Sequence, residues 1–173
     1  MTAPVLYIPD ALGTADEDLA FFSTIAWSSR MRARQTASFG LPYDYSGQAY
    51  AACPMPPVIA AIAARAAAAA GHAFNNCLCN RYETGANAMG FHADSYAGLV
   101  AESQIAIASY GATRRLVFRS IDRRTGFEVV LEHGSLLLMT RATQDAWQHA
   151  LPPSDSPGLR ISATFRLVGG GEG

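Results

Sequence analysis

Cysteine, charged residues and long apolar runs are all scarce in this chain of 173 residues. The three cysteines (Cys53, Cys77 and Cys79) are an odd number, which excludes a disulfide framework and a tetrahedral zinc site built from thiols alone. The apolar stretch over residues 57–70 is interrupted by Arg65 and is too short to span a bilayer. The opening MTAPVLYIPDALGTADED lacks the basic start and apolar run of a secretory signal. We therefore expect a cytoplasmic protein with reduced thiols and no membrane association.

The balance of charge excludes a strongly basic protein that attracts polyanions through its overall charge. The formal net charge is -1 and the pI is about 6.4, so the chain as a whole does not attract a polyanion. Any contact with nucleic acid must rest on local basic patches. With 50% hydrophobic and 16% charged residues, and with no internal repeat or linker, residues 1–173 are predicted to form a single domain. No obligate protein partner is evident, and a monomer is expected.

Two helices are predicted in the first part of the chain. Thr14 and Glu17 have the spacing of a capping box ahead of an apolar run, which predicts a helix over residues 15–26. An alanine-rich helix is predicted to begin at Pro57 and to stop at Gly71, with proline at its entry and glycine at its exit.

The rest of the chain is predicted to consist mainly of strands and loops. Between the helices, residues 30–34 alternate with period two and predict a short strand with a basic face, whereas residues 35–54 have the composition of a loop. Further β-prone runs occupy residues 76–82, 104–109, 115–120, 127–131, 135–140, 146–150 and 160–168. Many short strands behind two helices predict an α+β fold, with a β-sandwich or jelly-roll core and the helices on one face. The glycine-rich residues 169–173 are predicted to form a flexible tail.

Two histidines and one aspartate indicate a metal site. His92 and Asp94 are two residues apart in GFHAD, so in extended backbone both side chains point to the same side. Two histidines and one carboxylate form the facial triad of non-haem Fe(II), and His149 in WQHALP is the natural third ligand. An isolated HxD is more often a surface pair than a ligand pair. His72 and His133 have no partner at ligand spacing and are interpreted as structural.

An anion site is indicated by the last strand. Period two places Arg160, Ser162, Thr164 and Arg166 on one face, which either is solvated or lines an anion-binding cavity. A dicarboxylate such as 2-oxoglutarate suits arginine, because a guanidinium pairs with a carboxylate through two parallel hydrogen bonds. Asn80 and Tyr82 also share a face, either as further donors to that ligand or as a buried, satisfied pair.

Taken in order, the segments NRYETG, FHAD, SYGATRRLVFR, LEHGSLLLM, TQDAWQHALP and RISATFR resemble the AlkB family of Fe(II)/2-oxoglutarate dioxygenases. The likeness covers residues 34–168. It implies a double-stranded β-helix (jelly roll) and an enzyme that uses Fe(II), 2-oxoglutarate and O2. The reaction it implies is oxidative demethylation of N-alkylated bases, with release of formaldehyde, succinate and CO2.

The resemblance also implies a role for each matching residue. His92, Asp94 and His149 would bind the metal. Asn80, Tyr82, Arg160, Ser162 and Arg166 would bind 2-oxoglutarate, with Arg160 on the distal carboxylate and Arg166 near the iron. Residues 34–54 would form a nucleotide-recognition segment. In that segment Tyr43, Tyr45 and Ser46 would line the substrate pocket, with Tyr45 stacked on the base.

Departures from the family pattern bear on the substrate. Ser95 and Tyr96 stand where family repair enzymes often have acidic residues, and Ser162 stands where asparagine is common. Residues 28–33 leave little room for a long hairpin, so single-stranded DNA or RNA is the expected partner rather than a duplex. Two alternatives stay open: the same chemistry on a small molecule or protein side chain, and a non-catalytic, cupin-like metal-binding domain.

Two groups of arginines are candidates for contacts with phosphate. They can equally be solvated strand and hairpin faces. The candidates are Arg30, Arg32, Arg34, Arg119, Arg123 and Arg124.

Overall fold

The structure is a computed structural model that describes residues 4–43 and 51–169. Three helices lie in this part of the chain: α1 (Ala15–Phe22), α2 (Pro57–Ala70) and α3 (Arg141–Ala146). The strands of the same residues are β1 (Val5–Ile8), β2 (Gln35–Gly40), β3 (Asn76–Tyr82), β4 (Met89–His92), β5 (Ile105–Gly111), β6 (Arg114–Ser120), β7 (Gly126–Leu131), β8 (Leu136–Met139), β9 (Trp147–Leu151) and β10 (Arg160–Arg166). Within these residues, none of the helices has the length and apolar character needed to cross a membrane.

The strands form two antiparallel sheets. The larger sheet has the order β1-β8-β5-β10-β3-β2, and the smaller one has the order β4-β9-β6-β7. One apolar cluster lies between α1, α2 and the outer face of the larger sheet, and includes Phe22, Ile59 and Phe165. A second cluster lies between the two sheets and includes Leu78, Ile107 and Phe118. The predicted jelly roll with helices packed on one face is confirmed.

Strand β10 separates these two environments. It is central in the larger sheet, between β5 and β3, so both of its edges are hydrogen-bonded. Ile161, Ala163 and Phe165 point into the cluster under the helices. The alternate residues, from Arg160 to Arg166, are equally buried and line a cavity between the sheets. The polar face of this strand is therefore not solvated.

Two predicted elements of the N-terminal half need correction. Helix α1 ends at Phe22 rather than at residue 26, because the Ser23 and Thr24 hydroxyls donate to the Ala20 and Phe21 carbonyls and compete with the helical backbone. The predicted capping box at Thr14 is also wrong, since its side chain makes no capping hydrogen bond.

The strand predicted over residues 30–34 is wrong as well. The chain bends there, and the strand β2 begins at Gln35, inside the segment predicted to be a loop. Pairing with β3 holds this polar, glycine-ending strand in the sheet, and its own composition gives little sign of it. Helix α2 matches the prediction, from Pro57 to a left-handed Gly71 at φ 79°.

Candidate metal and co-substrate site

The three predicted metal ligands meet at the pairing of β4 with β9. His92 and His149 are directly opposite each other in this pair, and their ring centroids are 4.4 Å apart. Asp94 follows two residues after His92. One potential ligand atom from each of the three residues lies within 4.8 Å of the other two. Strand pairing therefore creates the site from residues that are more than fifty positions apart.

Asp94 is held through both its carboxylate and its backbone. Its Oδ2 accepts a hydrogen bond of 2.8 Å from Arg166 Nη2, and its backbone N–H donates to Gln144 Oε1 over 2.9 Å. Its Oδ1 is buried and has no hydrogen-bond partner among the described residues. Burial would raise the pKa of this carboxyl, but Arg166 and the two histidines outweigh that effect and keep the pKa below its usual value. An ionised oxygen without a partner beside two imidazoles fits a divalent cation.

Each of the two histidines offers a ring nitrogen to a metal. The His92 Nδ1 is 2.9 Å from the Gly90 carbonyl, so Nδ1 is the donor in that bond and Nε2 is the ring nitrogen that a metal would use. This Nε2 is 4.0 Å from Asp94 Oδ1, a gap that an ion with bonds of about 2.1 Å can bridge. Burial, followed by the proximity of His92, lowers the pKa of His149 to about 4, which leaves the ring neutral at pH 7. A neutral imidazole is the form that binds metal.

A buried arginine lies at the other end of the same cavity. Arg160 is 2% exposed, and its Nη2 donates to Ser109 Oγ over 3.2 Å. Its Nε and Nη1 make no hydrogen bond to the described part of the chain. Burial lowers the pKa of this guanidinium to about 10, and Arg114 adds to the effect. A desolvated cation with donors on two such nitrogens fits an anionic ligand, and a carboxylate matches its planar geometry.

The remaining predicted co-substrate residues lie between these two ends. Strands β3 and β10 pair Tyr82 with Arg160 and Asn80 with Ser162. All four residues line the cavity, together with Arg166 and the three metal ligands. The register thus arranges one continuous polar wall from Arg160 to Asp94.

The predicted substrate-binding residues are only partly described. Tyr43 is buried, donates a hydrogen bond of 2.8 Å to the Ser95 carbonyl, and places its ring 4.6 Å from the Arg166 guanidinium carbon. It therefore packs against the residue that holds Asp94. Tyr45 and Ser46 lie outside the described residues.

The two other histidines bond to the backbone, as a structural role requires. His72 Nε2 accepts from the Gln104 N–H at 2.9 Å, and His133 Nδ1 accepts from the Gly111 N–H at 3.0 Å.

Sequence reasoning missed three residues near the cavity. Gln144, on α3, holds the backbone of Asp94, and no local pattern signals it. Arg114 is buried, and its Nη2 donates to the Asn87 and Pro152 carbonyls at 2.8 and 2.7 Å. Arg34, a candidate for phosphate contact, is buried instead, and its Nε donates to Asn80 Oδ1 over 2.7 Å. The position of Arg34 beside a strand of the larger sheet explains its burial.

Comparisons with known proteins agree with this geometry. A family model described as the 2OG-Fe(II) oxygenase superfamily matches residues 21–166. The chain is 37% identical over 152 residues to the DNA oxidative demethylase ALKBH2 of Bos taurus, covering 82% of this chain and 55% of the relative. It is 33% identical over 168 residues to the alpha-ketoglutarate-dependent dioxygenase alkB homolog 3 of Rattus norvegicus, covering 83% of this chain and 56% of the relative. The chain thus spans little more than half the length of these curated relatives.

A solved structure supports the fold independently. The structure of OsALKBH1 matches with a TM-score of 0.71 at 17% identity, over 96% of this chain and 99% of that chain. The family model, the AlkB homologues and the His-Asp-His geometry agree. The chain therefore belongs to the AlkB family within the 2OG-Fe(II) oxygenase superfamily.

Proposed function

We propose that this protein is an Fe(II)/2-oxoglutarate-dependent dioxygenase that removes N-methyl groups from bases in nucleic acid. One observation carries the proposal. A single cavity has a His-Asp-His triad at one end, with an Asp94 oxygen that lacks a hydrogen-bond partner among the described residues, and at the other end Arg160, with two nitrogens, Nε and Nη1, that also lack partners there. A metal ion and a dicarboxylate supply the missing partners together.

Each side chain of the cavity has a distinct task in this proposal. His92, Asp94 and His149 would hold Fe(II), while Arg166 keeps Asp94 ionised and leaves only its Oδ1 for the metal. Arg160 and Tyr82 would bind the distal carboxylate of 2-oxoglutarate, and Asn80, Ser162 and Arg166 would bind the end nearer the iron. Iron loaded with 2-oxoglutarate and O2 supplies the oxidation that converts an N-methyl group to formaldehyde, with succinate and CO2 as co-products. Apolar side chains, among them Leu116 and Leu151, also line the cavity and would limit the access of water.

The choice of nucleic acid as substrate is supported by the relatives. ALKBH2 carries the name DNA oxidative demethylase, and it aligns with 82% of this chain. The cation Arg119 adds local support. Its guanidinium carbon is 3.9 Å from the centroid of the Phe91 ring, and Gln148 Oε1 accepts hydrogen bonds from its Nε and Nη2. Phe91 and Gln148 are the chain neighbours of His92 and His149, so this cation, which is on β6, lies beside the two strands that carry the histidine ligands.

A preference for single strands is supported by the segment between α1 and β2. Residues 23–34 contain bends and one isolated bridge from Ser28 to Thr36, and no hairpin. Opening a duplex to extrude a base costs a few kcal/mol, and a hairpin inserted as a wedge helps to offset that cost. A cytoplasmic location, a monomeric state and the assignment of residues 34–54 to nucleotide recognition stay predictions.

The test is anaerobic loading with Fe(II), followed by 2-oxoglutarate, air and single-stranded oligonucleotides that carry 1-methyladenine or 3-methylcytosine. Mass spectrometry should detect a loss of about 14 Da per lesion, the mass of one methylene group, with roughly one succinate for each methyl group removed, as the coupling of both reactions at one iron requires. The same oligonucleotides in duplex form should react more slowly. His149→Ala should be inactive on both.

The alternatives predict different results. Succinate formed without any change in the oligonucleotides would favour a small-molecule or protein substrate. Tight metal binding without binding of 2-oxoglutarate would favour the non-catalytic domain. Arg160 Nε and Nη1, which have no hydrogen-bond partner in the described part of the chain, count against this last alternative, because a domain that binds only metal does not need them.

A further inference from the structure

Arg34 and Asn80 form a buried polar contact at the wall of the cavity. Arg34 Nε donates to Asn80 Oδ1 over 2.7 Å, and both residues are 6% exposed. Asn80 lines the cavity, whereas Arg34 does not. Seen from the cavity, the arginine therefore lies behind the asparagine. It belongs to a different part of the chain. It directly precedes the edge strand β2, and Asn80 lies on β3.

The contact determines which end of the Asn80 amide faces the ligand. An amide has an oxygen that only accepts and a nitrogen that only donates, and nothing in its shape distinguishes the two ends. A guanidinium has donors only, so it can pair with the oxygen and not with the nitrogen. With Oδ1 directed to Arg34, the Nδ2 group is the end available to the cavity. A carboxylate or keto oxygen in the cavity needs that donor and is repelled by an amide oxygen.

The electrostatics around Asn80 agree with this interpretation. Burial raises the pKa of the nearby Tyr82 hydroxyl, while Arg34, Arg160 and Arg114 oppose that effect. Arg34 is thus one of three cations close to this side of the cavity. Burying a charge is unfavourable unless it makes strong hydrogen bonds, and a charge-assisted bond to Asn80 is about twice as strong as a neutral one.

We propose that Arg34 is a positioning residue for 2-oxoglutarate, which acts by locking the Asn80 amide with its Nδ2 toward the co-substrate. This inference rests on the proposed function, because it takes 2-oxoglutarate as the ligand of the cavity. It extends that function by placing a determinant of co-substrate affinity at the start of the segment 34–54. That segment is otherwise predicted to recognise the nucleotide.

The test compares two substitutions of Arg34 in two backgrounds. Arg34→Lys keeps a cation that can only donate, whereas Arg34→Gln has an oxygen that can accept from Asn80 Nδ2 and allow the amide to turn around. Each is made in the natural chain and in Asn80→Ala. Binding of 2-oxoglutarate is measured by isothermal titration calorimetry on protein loaded with Mn(II), so no turnover is involved. Circular dichroism verifies that each variant is folded.

In the natural background, Arg34→Gln should weaken 2-oxoglutarate binding about tenfold, as expected for loss of one hydrogen bond to a charged ligand, and Arg34→Lys by about threefold or less. In the Asn80→Ala background the two variants should bind equally, because there is no amide left to position. Arg81→Gln is the matched control. Arg81 is the next residue on β3, pairs with Glu83 over 3.1 Å and does not line the cavity, so its loss should leave binding unchanged.

Other outcomes distinguish a failure of the inference about Arg34 from a failure of the proposed function. If Arg34→Gln remains weaker than Arg34→Lys by the same factor after Asn80 is removed, Arg34 acts by charge alone and the inference fails. Equal binding by the two variants in the natural background would also overturn it. If the natural chain loaded with Mn(II) does not bind 2-oxoglutarate, the proposed function itself fails.

Discussion

Arg166 Nη2 lies 2.8 Å from Asp94 Oδ2, and each of the two side chains is 2% exposed. This ion pair is the link between the last strand of the larger sheet and the metal site. It occupies one carboxylate oxygen and leaves Oδ1 for an ion, so the geometry favours a single bond from Asp94 to the metal. Without a metal, the pair is also the main electrostatic support of a carboxylate whose pKa burial alone would raise.

This relationship predicts that Asp94→Ala and Asp94→Asn differ in stability and agree in metal binding. Asp94→Ala leaves the Arg166 charge buried without its carboxylate, and we expect a loss of about 3 kcal/mol in the free energy of unfolding. Asp94→Asn keeps an oxygen that accepts from Arg166, so we expect a loss of about half as much. Urea unfolding of metal-free protein gives both values. Neither variant should bind Fe(II) tightly, and equal stability of the two variants would argue against the ion pair as a support of the fold.

Arg160 provides the opposite case, a residue whose removal should harm binding and not stability. Its Nε and Nη1 have no partner in the described residues, and burial already lowers its pKa to about 10. Arg160→Met keeps most of the volume and removes a buried charge, so the free energy of unfolding should stay the same or rise by about 1 kcal/mol. Binding of 2-oxoglutarate to protein loaded with Mn(II) should fall at least 100-fold, as expected for loss of a bidentate ion pair.

Arg115→Met is the matched control for that experiment. Arg115 pairs with Glu128 on the surface, with 59% of its side chain exposed, and should affect neither quantity. A loss of more than about 2 kcal/mol in Arg160→Met would mean that the guanidinium supports the fold. The Arg160 guanidinium would then not be a group that serves only to bind a ligand.

The metal site itself predicts a thermal shift. An ion that binds only the folded state stabilises it by about 2.7 kcal/mol at a concentration one hundred times its Kd. Fe(II) added without oxygen should therefore raise the Tm by several degrees, and a chelator should reverse the rise. His149→Ala should abolish the shift, since one of the three ligands is lost. His72→Ala, which removes a histidine bonded to the Gln104 backbone, should keep it. An equal shift in His149→Ala would place the ion elsewhere.

The site was more predictable from sequence than the fold that surrounds it. His92 and Asp94 are close in the chain, and period two alone predicts the shared face from Arg160 to Arg166, because a strand alternates regardless of its neighbours. Strand β2 was not predictable in this way, since it depends on pairing with β3. Gln144 and Arg34 were missed as site residues for the same reason. Their contacts join residues 50 and 46 positions apart, and only the folded topology brings them together.

Tyr110 offers a test of the packing between α1 and the larger sheet. Its side chain is fully buried, and its hydroxyl donates to Asp18 Oδ2 over 3.1 Å. Asp18 is also buried and accepts from Arg65 Nη1 over 3.2 Å. Tyr110→Phe removes one donor from a buried carboxylate, so the free energy of unfolding at pH 7 should fall by about 1–3 kcal/mol. Tyr7→Phe is the control, because the Tyr7 hydroxyl makes a longer, exposed contact of 3.4 Å to Glu132 and should change stability little.

The effect of Tyr110→Phe should also depend on pH. Burial, followed by the neighbouring Asp18 charge, raises the pKa of the Tyr110 hydroxyl well above that of a free tyrosine. Above pH of about 10 the unfolded chain releases this proton while the folded chain keeps it, so the contribution of Tyr110 to stability is complete below that pH and declines above it. Urea unfolding at pH 8 and at roughly pH 11 should therefore show a smaller difference between the natural chain and Tyr110→Phe at the higher pH. A difference that stays constant would mean that Tyr110 ionises as readily in the folded protein as in the unfolded chain.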